Sequence, residues 1–449
     1  MMNTVLLIAT FDTKQQEAMF LKACIEARGV DVLTMDTGIL SAPDIPVDID
    51  RNQVAQSGGS AIEELLAAGD KSACIFNMTR GAANLARELF DRGRFQGVIS
   101  IGGGQGTDIG CAAMRRLPTG VPKLMVSTVA SGRATFGPFV GTRDITMMHS
   151  VADMQGLNFL TRRILQNAAG AICGMTQQSD LKNLKPAGIP TALSMLGTTT
   201  PGALHAKHLL EKHGFEVVAF HQNGTGGIAM EDMIRDGAFK GVLDLNLHEI
   251  GDRYVGGLHG AIRPDRLEAA GQAGIPQIIA PGSINYMVLG PLDSLTPEMR
   301  NRKLIVHNSY LTLVRLNHEE LQGVGKLVAE KLNCAKGATR VFIPLKGYSF
   351  PDRIHQPHWD PEGNDVFVET LKANLRPEIP LVELAAHIND PDFIRKQLDE
   401  LVRIARKTGV AVGIAHPSPT TLRILQELLP EMKREVDLVP VSQVVHVIG

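Results

Sequence analysis

The chain has 449 residues, enough for two or three domains, and its 45 Lys and Arg offset 47 Asp and Glu to a net charge of −2. That balance argues against a protein whose main task is gripping nucleic acid or an anionic membrane. Hydrophobic residues make up 44% and charged residues 20%, which excludes wholesale disorder, and 45 glycines against 15 Phe, 4 Tyr and one Trp suit an α/β enzyme with glycine-rich turns better than an aromatic platform for stacked bases.

Taken in chain order, apolar runs of five to seven residues alternate with Gly/Ser/Thr turns and amphipathic helices. Val5 to Thr10 reads as a strand and Gln16 to Arg28 as a helix. Val30 to Asp36 is the next strand, 51–69 a helix, Cys74 to Asn77 a short strand and 82–92 a helix. Val98 to Ile101 runs into Gly102-Gly103-Gly104 and a helix. Lys123 to Ser127 is a strand, and a helix from Leu157 to about Met175 closes the first unit. The polar stretch Gln177–Ala187 reads as a linker. Alternation restarts with strands at Thr191–Leu196, Phe215–Phe220, Val242–Leu247, Ile275–Ala280, Leu304–His307, Val341–Leu345 and Leu381–Leu384, while 283–302 reads as irregular. The expected fold is α/β, with two doubly wound lobes of mostly parallel sheet over 1–178 and 188–400 and a helix–strand tail over 401–449. No leader-like start, no apolar run of membrane length and five scattered cysteines without a CxxC pair lead us to expect a cytoplasmic protein.

The sharpest local feature is Gly102-Gly103-Gly104-Gln105-Gly106-Thr107, after a strand and opening a helix. Bare backbone and a helix N-terminus suit a phosphate or carboxylate. It is not a dinucleotide fingerprint, because Thr107 replaces the last glycine and Ser127-Thr128 stand where an acidic residue would read a ribose. It is not a P-loop either. Other expected strand ends carry similar residues: Thr10, Asp12, Thr13 and Lys14; Arg80 and Gly81; Ser127, Thr128, Ser131 and Gly132. C-terminal strand ends of an open parallel sheet share one edge, where ligands bind. Lys14 and Arg80 would balance a phosphorylated ligand. Asp12 fits two roles, holding a hydrated Mg²⁺ or capping the following helix. The second lobe repeats the theme with Gly224-Thr225-Gly226-Gly227 as a close-approach anion loop. Glu231, Asp244, His248, Glu249 and His307 supply acid–base groups.

Several longer phrases together carry a resemblance. They are Phe11-Asp12-Thr13-Lys14, Asn77-Met78-Thr79-Arg80-Gly81, the GGGQGT loop, Val126-Ser127-Thr128-Val129-Ala130-Ser131-Gly132, Gly141-Thr142-Arg143-Asp144, Gly224-Thr225-Gly226-Gly227 and Ala386-His387-Ile388-Asn389-Asp390. Over about residues 4–400 the chain resembles the uncharacterised family named for the tomato mosaic virus resistance protein, whose shared region is described as ATP-binding. The resemblance implies two Rossmann-like lobes, a homodimer or higher homo-oligomer, and nucleotide binding at Thr10, Asp12, Thr13, Gly102, Gly103, Gly104, Gly106, Thr107, Ser127, Thr128, Ser131 and Gly132. Two departures stand out: Gly104 where a serine is common, and a slightly expanded Arg133–Gly137. The segment Gly409–Val441 resembles the closing part of divergent polysaccharide deacetylases, whose metal and base residues are not recognisable here, so no deacetylation is expected.

Together these readings lead us to expect a protein that binds ATP, with Mg²⁺, or another phosphorylated small molecule. In this reading it is a metabolic enzyme acting on a small carboxylate or acyl substrate in the cleft between lobes, with Glu231, Glu249 and His307 as acid–base groups. A nucleotide-gated binding or regulatory module without turnover is the alternative. No nucleic-acid or membrane partner is expected.

Overall fold

A computed structural model describes residues 3–130, 139–178 and 186–397. The chain divides into two compact units, Met1–Lys185 and Pro186–Gly449. The expected tail 401–449 lies outside the described residues, as do Ser131 and Gly132.

In the first unit, five parallel strands are ordered β2-β1-β3-β4-β5, with β1 Thr4–Ala9, β2 Asp31–Asp36, β3 Gly97–Gly102, β4 Lys123–Ser127 and β5 Thr146–His149. Side chains alternate across a strand, so one sheet feeds two cores. Leu6, Ile8, Val98 and Met125 join one core; Val5, Leu7, Ile99, Ile101, Leu124 and Val126 join the other. The order reverses between β1 and β3, which opens a crevice at their C-terminal ends.

Two local expectations fail here. Cys74–Asn77 is not a strand but part of one helix, Lys71–Asp91. Asp70 caps it by accepting from the backbone of Ser72 and Ala73, and Cys74, Asn77, Met78, Gly81, Ala82 and Ala86 make one buried stripe at helical spacing. Residues 51–69 form two helices, Arg51–Gly58 and Ile62–Ala67, broken at Gly59, whose φ is 104°.

The second unit holds six parallel strands ordered β7-β6-β8-β9-β13-β14: β6 Ile189–Met195, β7 Phe215–His221, β8 Gly241–Asn246, β9 Gln277–Gly282, β13 Thr339–Pro344 and β14 Leu381–Leu384. Its reversal lies between β6 and β8. Between β9 and β13 the chain builds a small antiparallel sheet, β10-β12-β11, from Tyr286–Leu289 (β10), Leu304–Val306 (β11) and Thr312–Arg315 (β12). The stretch read as irregular therefore starts a second sheet, and β11 belongs to it rather than to the parallel sheet.

Candidate functional site

In the first unit, the reversal point gathers the glycine loop and the start of the first helix. A Cβ on Gly102 would lie 2.6 Å from the Gly106 Cα, so these two glycines let strand and helix touch, while a Cβ on Gly104 would meet nothing within 4 Å. Gly103 is the N-cap residue of the helix Gly104–Arg115, and no side chain caps that end. Its first amides are thus available to an anion. Thr107 and Ser127 are fully buried and use their hydroxyls on each other, Oγ1 to Oγ at 2.6 Å, with Thr107 also bonding the Gly103 carbonyl at 2.7 Å. They brace the loop. Thr128 is half-buried, its backbone N–H bonded to the Gly102 carbonyl.

At the end of β1, the Thr10 and Thr13 hydroxyls pair at 3.0 Å. Asp12 does not cap its own helix. Its Oδ2 accepts from the backbone of Ile39 at 2.9 Å and Leu40 at 2.8 Å, while its Oδ1 is buried with no hydrogen-bond partner among the described residues. Asp36, at the end of β2, accepts the Phe11 and Gly38 amides on Oδ1 and leaves Oδ2 buried and unpartnered; burial raises its pKa. Lys14 sits at a kink in the helix Phe11–Glu26 and is 7% exposed; its backbone N–H bonds the Thr10 carbonyl, and its ammonium has no ion pair or hydrogen bond among the described residues. Sequence reasoning missed Asp36, which reads there as an ordinary strand end. Arg80 lies on the helix Lys71–Asp91 instead of at a strand end and donates to the Gly58 carbonyl, closing the C-terminus of a neighbouring helix.

In the second unit, the loop Gly224–Gly227 already holds an anion, the protein's own Glu249. Its Oε1 accepts the Gly224 N–H at 2.6 Å and the Gly227 N–H at 3.1 Å. Gly226 and Gly227 are obligatory for packing, since a Cβ would collide with the His221 carbonyl and with the Glu249 carboxylate respectively. Glu249 and Glu231 both face the buried Arg266, which also binds Asp244 and Gln222. Glu231 further accepts the Leu267 and Ala269 amides. Burial raises the pKa of both glutamates, and their partners oppose the rise. His307 is exposed at the end of β11, on the antiparallel sheet. The structure therefore brings Glu231 and Glu249 together around Arg266 and sets His307 apart from them on a different sheet.

The end of β8 carries a second polar cluster. Asn246 donates to Thr199 and Ser283, each at 2.9 Å, and Thr198 pairs with Ser283 at 2.7 Å and with the Tyr286 hydroxyl at 2.9 Å. Ser283 has φ 56°, an unusual backbone for a residue other than glycine. His248 is fully buried against Tyr286, with ring centroids 4.8 Å apart. Its Nδ1 lies 3.2 Å from the Ser283 carbonyl and its Nε2 3.2 Å from His259 Nδ1. Burial pushes the His248 pKa down to about 3 and that of Asp252 up to about 7. The helical i,i+4 spacing of His248 and Asp252 was a readable signal that the sequence reading passed over.

The class defined here is a protein of two parallel α/β units, each with polar residues collected where its strand order reverses. The chain belongs to the uncharacterised protein family UPF0261, whose N-terminal domain matches residues 3–180 and whose C-terminal domain matches 190–405. A UPF0261 protein from Clostridium tetani is 40% identical over 91% of this chain and 100% of its own length. The ToMV resistance protein Tm-1(GCR237) of Solanum lycopersicum is 34% identical over 71% of this chain and 43% of its own length. A divergent polysaccharide deacetylase domain matches residues 382–445, of which those from 398 on lie outside the described part. Among solved structures, Acinetobacter baumannii MurG aligns over 95% of this chain and 99% of that chain, at 12% identity and a TM-score of 0.20. No helix among the described residues is long and apolar enough to cross a membrane.

Proposed function

We propose that the first unit binds ATP or another phosphorylated small molecule at the reversal between β1 and β3, and that the protein is an enzyme acting on a small carboxylate or acyl substrate. The observation that carries this reading is Lys14. A lysine 7% exposed, its ammonium without a partner among the described residues, on the same sheet edge as an uncapped helix N-terminus, is a cation in need of an anion. The family resemblance favours ATP among phosphorylated ligands. The Asp12 Oδ1 atom suits Mg²⁺, being a hard oxygen donor, buried and unpartnered. A bound Mg²⁺ would offset phosphate charge there.

Acid–base work falls to the second unit. Glu231 and Glu249 are tied to Arg266 and to backbone amides, so the hydroxyl cluster of Tyr286, Thr198 and Ser283 is the better candidate. That locking of both glutamates also favours a second reading, a nucleotide-binding module without turnover. Calorimetric titration of the full chain with ATP, with and without Mg²⁺, tests the first claim. Lys14→Met should weaken binding about tenfold to a hundredfold, the worth of a charge-assisted bond. Asp12→Asn should remove only the Mg²⁺-dependent part. Absence of heat at about millimolar ATP would overturn the nucleotide reading. Phosphate release on adding carboxylate or acyl metabolites separates enzyme from module.

A further inference from the structure

We infer that His248, Asp252 and His259 form a binding site for a divalent transition metal ion of the zinc type in the second unit. One ligand atom from each lies within 4.8 Å of the other two. The spacing of the imidazoles is the most informative distance. With metal–nitrogen bonds of about 2.0–2.1 Å and a tetrahedral angle, two ligating nitrogens stand about 3.3 Å apart. His248 Nε2 and His259 Nδ1 are 3.2 Å apart and face each other.

The supporting shell is arranged as a metal site requires. A ligating histidine usually donates its other ring N–H to a carbonyl or carboxylate, which fixes the tautomer. His248 Nδ1 meets the Ser283 carbonyl at 3.2 Å, leaving a lone pair on Nε2. Asp252 is held from two sides: Oδ1 accepts the Val288 N–H at 2.7 Å and Oδ2 accepts the His259 N–H at 2.5 Å. Each oxygen keeps a further lone pair, and the second bond ties the carboxylate to the histidine that would share the ion. The sequence is built for this closure. His248 and Asp252 lie one turn apart on the helix His248–Val255, Gly256 ends that helix at φ 80°, and a Cβ on Gly257 would strike the Asp252 carboxylate. The chain can therefore fold back tightly enough to bring His259 over the pair.

Two imidazoles and one carboxylate favour Zn²⁺, Co²⁺ or Fe²⁺ over Mg²⁺ or Ca²⁺, which prefer oxygen. Three protein ligands leave one position open. Oxygen from water or from a substrate carboxylate would fill it. The carboxylate point rests on the proposed function; metal binding does not.

The test uses the full chain, stripped with chelator, loaded with Zn²⁺ or Co²⁺ and desalted. The expected result is one ion per chain by elemental analysis and a visible Co²⁺ spectrum of four- or five-coordinate type. His259→Ala, at a half-buried position, should lower affinity by about tenfold or more, and His248→Gln likewise. His213→Ala, on an exposed helix end, should leave it unchanged. Retention of no metal by the folded wild type, or equal affinity in wild type and His259→Ala, overturns the proposal and identifies the 3.2 Å contact as a plain imidazole hydrogen bond. The readout contains no nucleotide, so ATP binding can fail while this site stands, and the reverse.

Discussion

Arg266 grips Asp244 with two parallel hydrogen bonds, Nη1 to Oδ2 at 2.6 Å and Nη2 to Oδ1 at 2.9 Å, and both side chains are almost wholly buried. Glu231 and Glu249 complete the surroundings, so a single guanidinium faces three carboxylates beneath the end of β8. Truncating the cation would leave all three without their main counter-charge. Removing one partner of a buried pair typically costs about 3–5 kcal/mol. Arg266→Met should destabilise the second unit by that order, read as a lower urea midpoint, or prevent folding, and Arg266→Lys should recover only part, because an ammonium cannot form the paired contact. A variant with an unchanged midpoint would show that the network contributes little.

The same network gives a pH dependence with a defined sign. Burial raises the Glu231 and Glu249 pKa values above 4.5 in the folded protein. Between the unfolded and folded values the native state holds protons that the unfolded chain has released. This contribution therefore favours folding most below the unfolded value and is lost as pH rises through the folded ones. Glu231→Gln removes one titrating group. Urea midpoints measured from about pH 4 to pH 8 should fall less steeply with pH in Glu231→Gln than in wild type, even if the variant is weaker throughout. An identical slope would contradict the assignment.

Much of the architecture was legible because parallel strands buried on both faces read as unbroken apolar runs, as in Val5-Leu6-Leu7-Ile8. Two kinds of feature were not. Cys74–Asn77 has the residues of a short strand, and only its capping by Asp70 and the stripe continuing to Ala86 make it helical. The strands β10 and β12 have four residues each, too short for a period to declare itself, and β11, read correctly as a strand, carries no local sign that it pairs in an antiparallel sheet. The sites divide the same way. The Gly102–Gly106 loop announces itself by composition. Arg266 does not, because nothing local to Pro264-Asp265-Arg266 indicates that it will be 1% exposed and will meet residues 17 to 44 positions away.

The cysteines separate by accessibility and proton affinity. Cys334 is exposed, whereas Cys74, Cys111 and Cys173 are buried. Burial pushes the Cys111 pKa up to about 12, so it supplies almost no thiolate at neutral pH. Brief alkylation of native protein near about pH 8 should label Cys334 first and leave Cys111 untouched until the chain is unfolded. Peptide mass mapping checks this, and early labelling of Cys111 would contradict its place in the core.

The glycine loop allows fold and ligand binding to be tested apart. Gly102 and Gly104 are two residues apart on one loop, yet their spaces differ. A methyl at Gly102 would press on the Gly106 backbone at 2.6 Å, and backbone cannot move aside as a side-chain tip does. Gly102→Ala should lose about 1–3 kcal/mol of stability, the usual range for overpacking. Gly104 has open space and begins the helix, so Gly104→Ala should leave stability unchanged or raise it by about half a kcal/mol through a less flexible unfolded chain. In the proposed site the same methyl would stand where a phosphate would approach the helix amides. ATP affinity of Gly104→Ala should therefore fall about tenfold although its melting temperature does not. Calorimetric melting and ATP titration of the two variants give the comparison. Wild-type affinity in a fully folded Gly104→Ala would move the phosphate away from this helix.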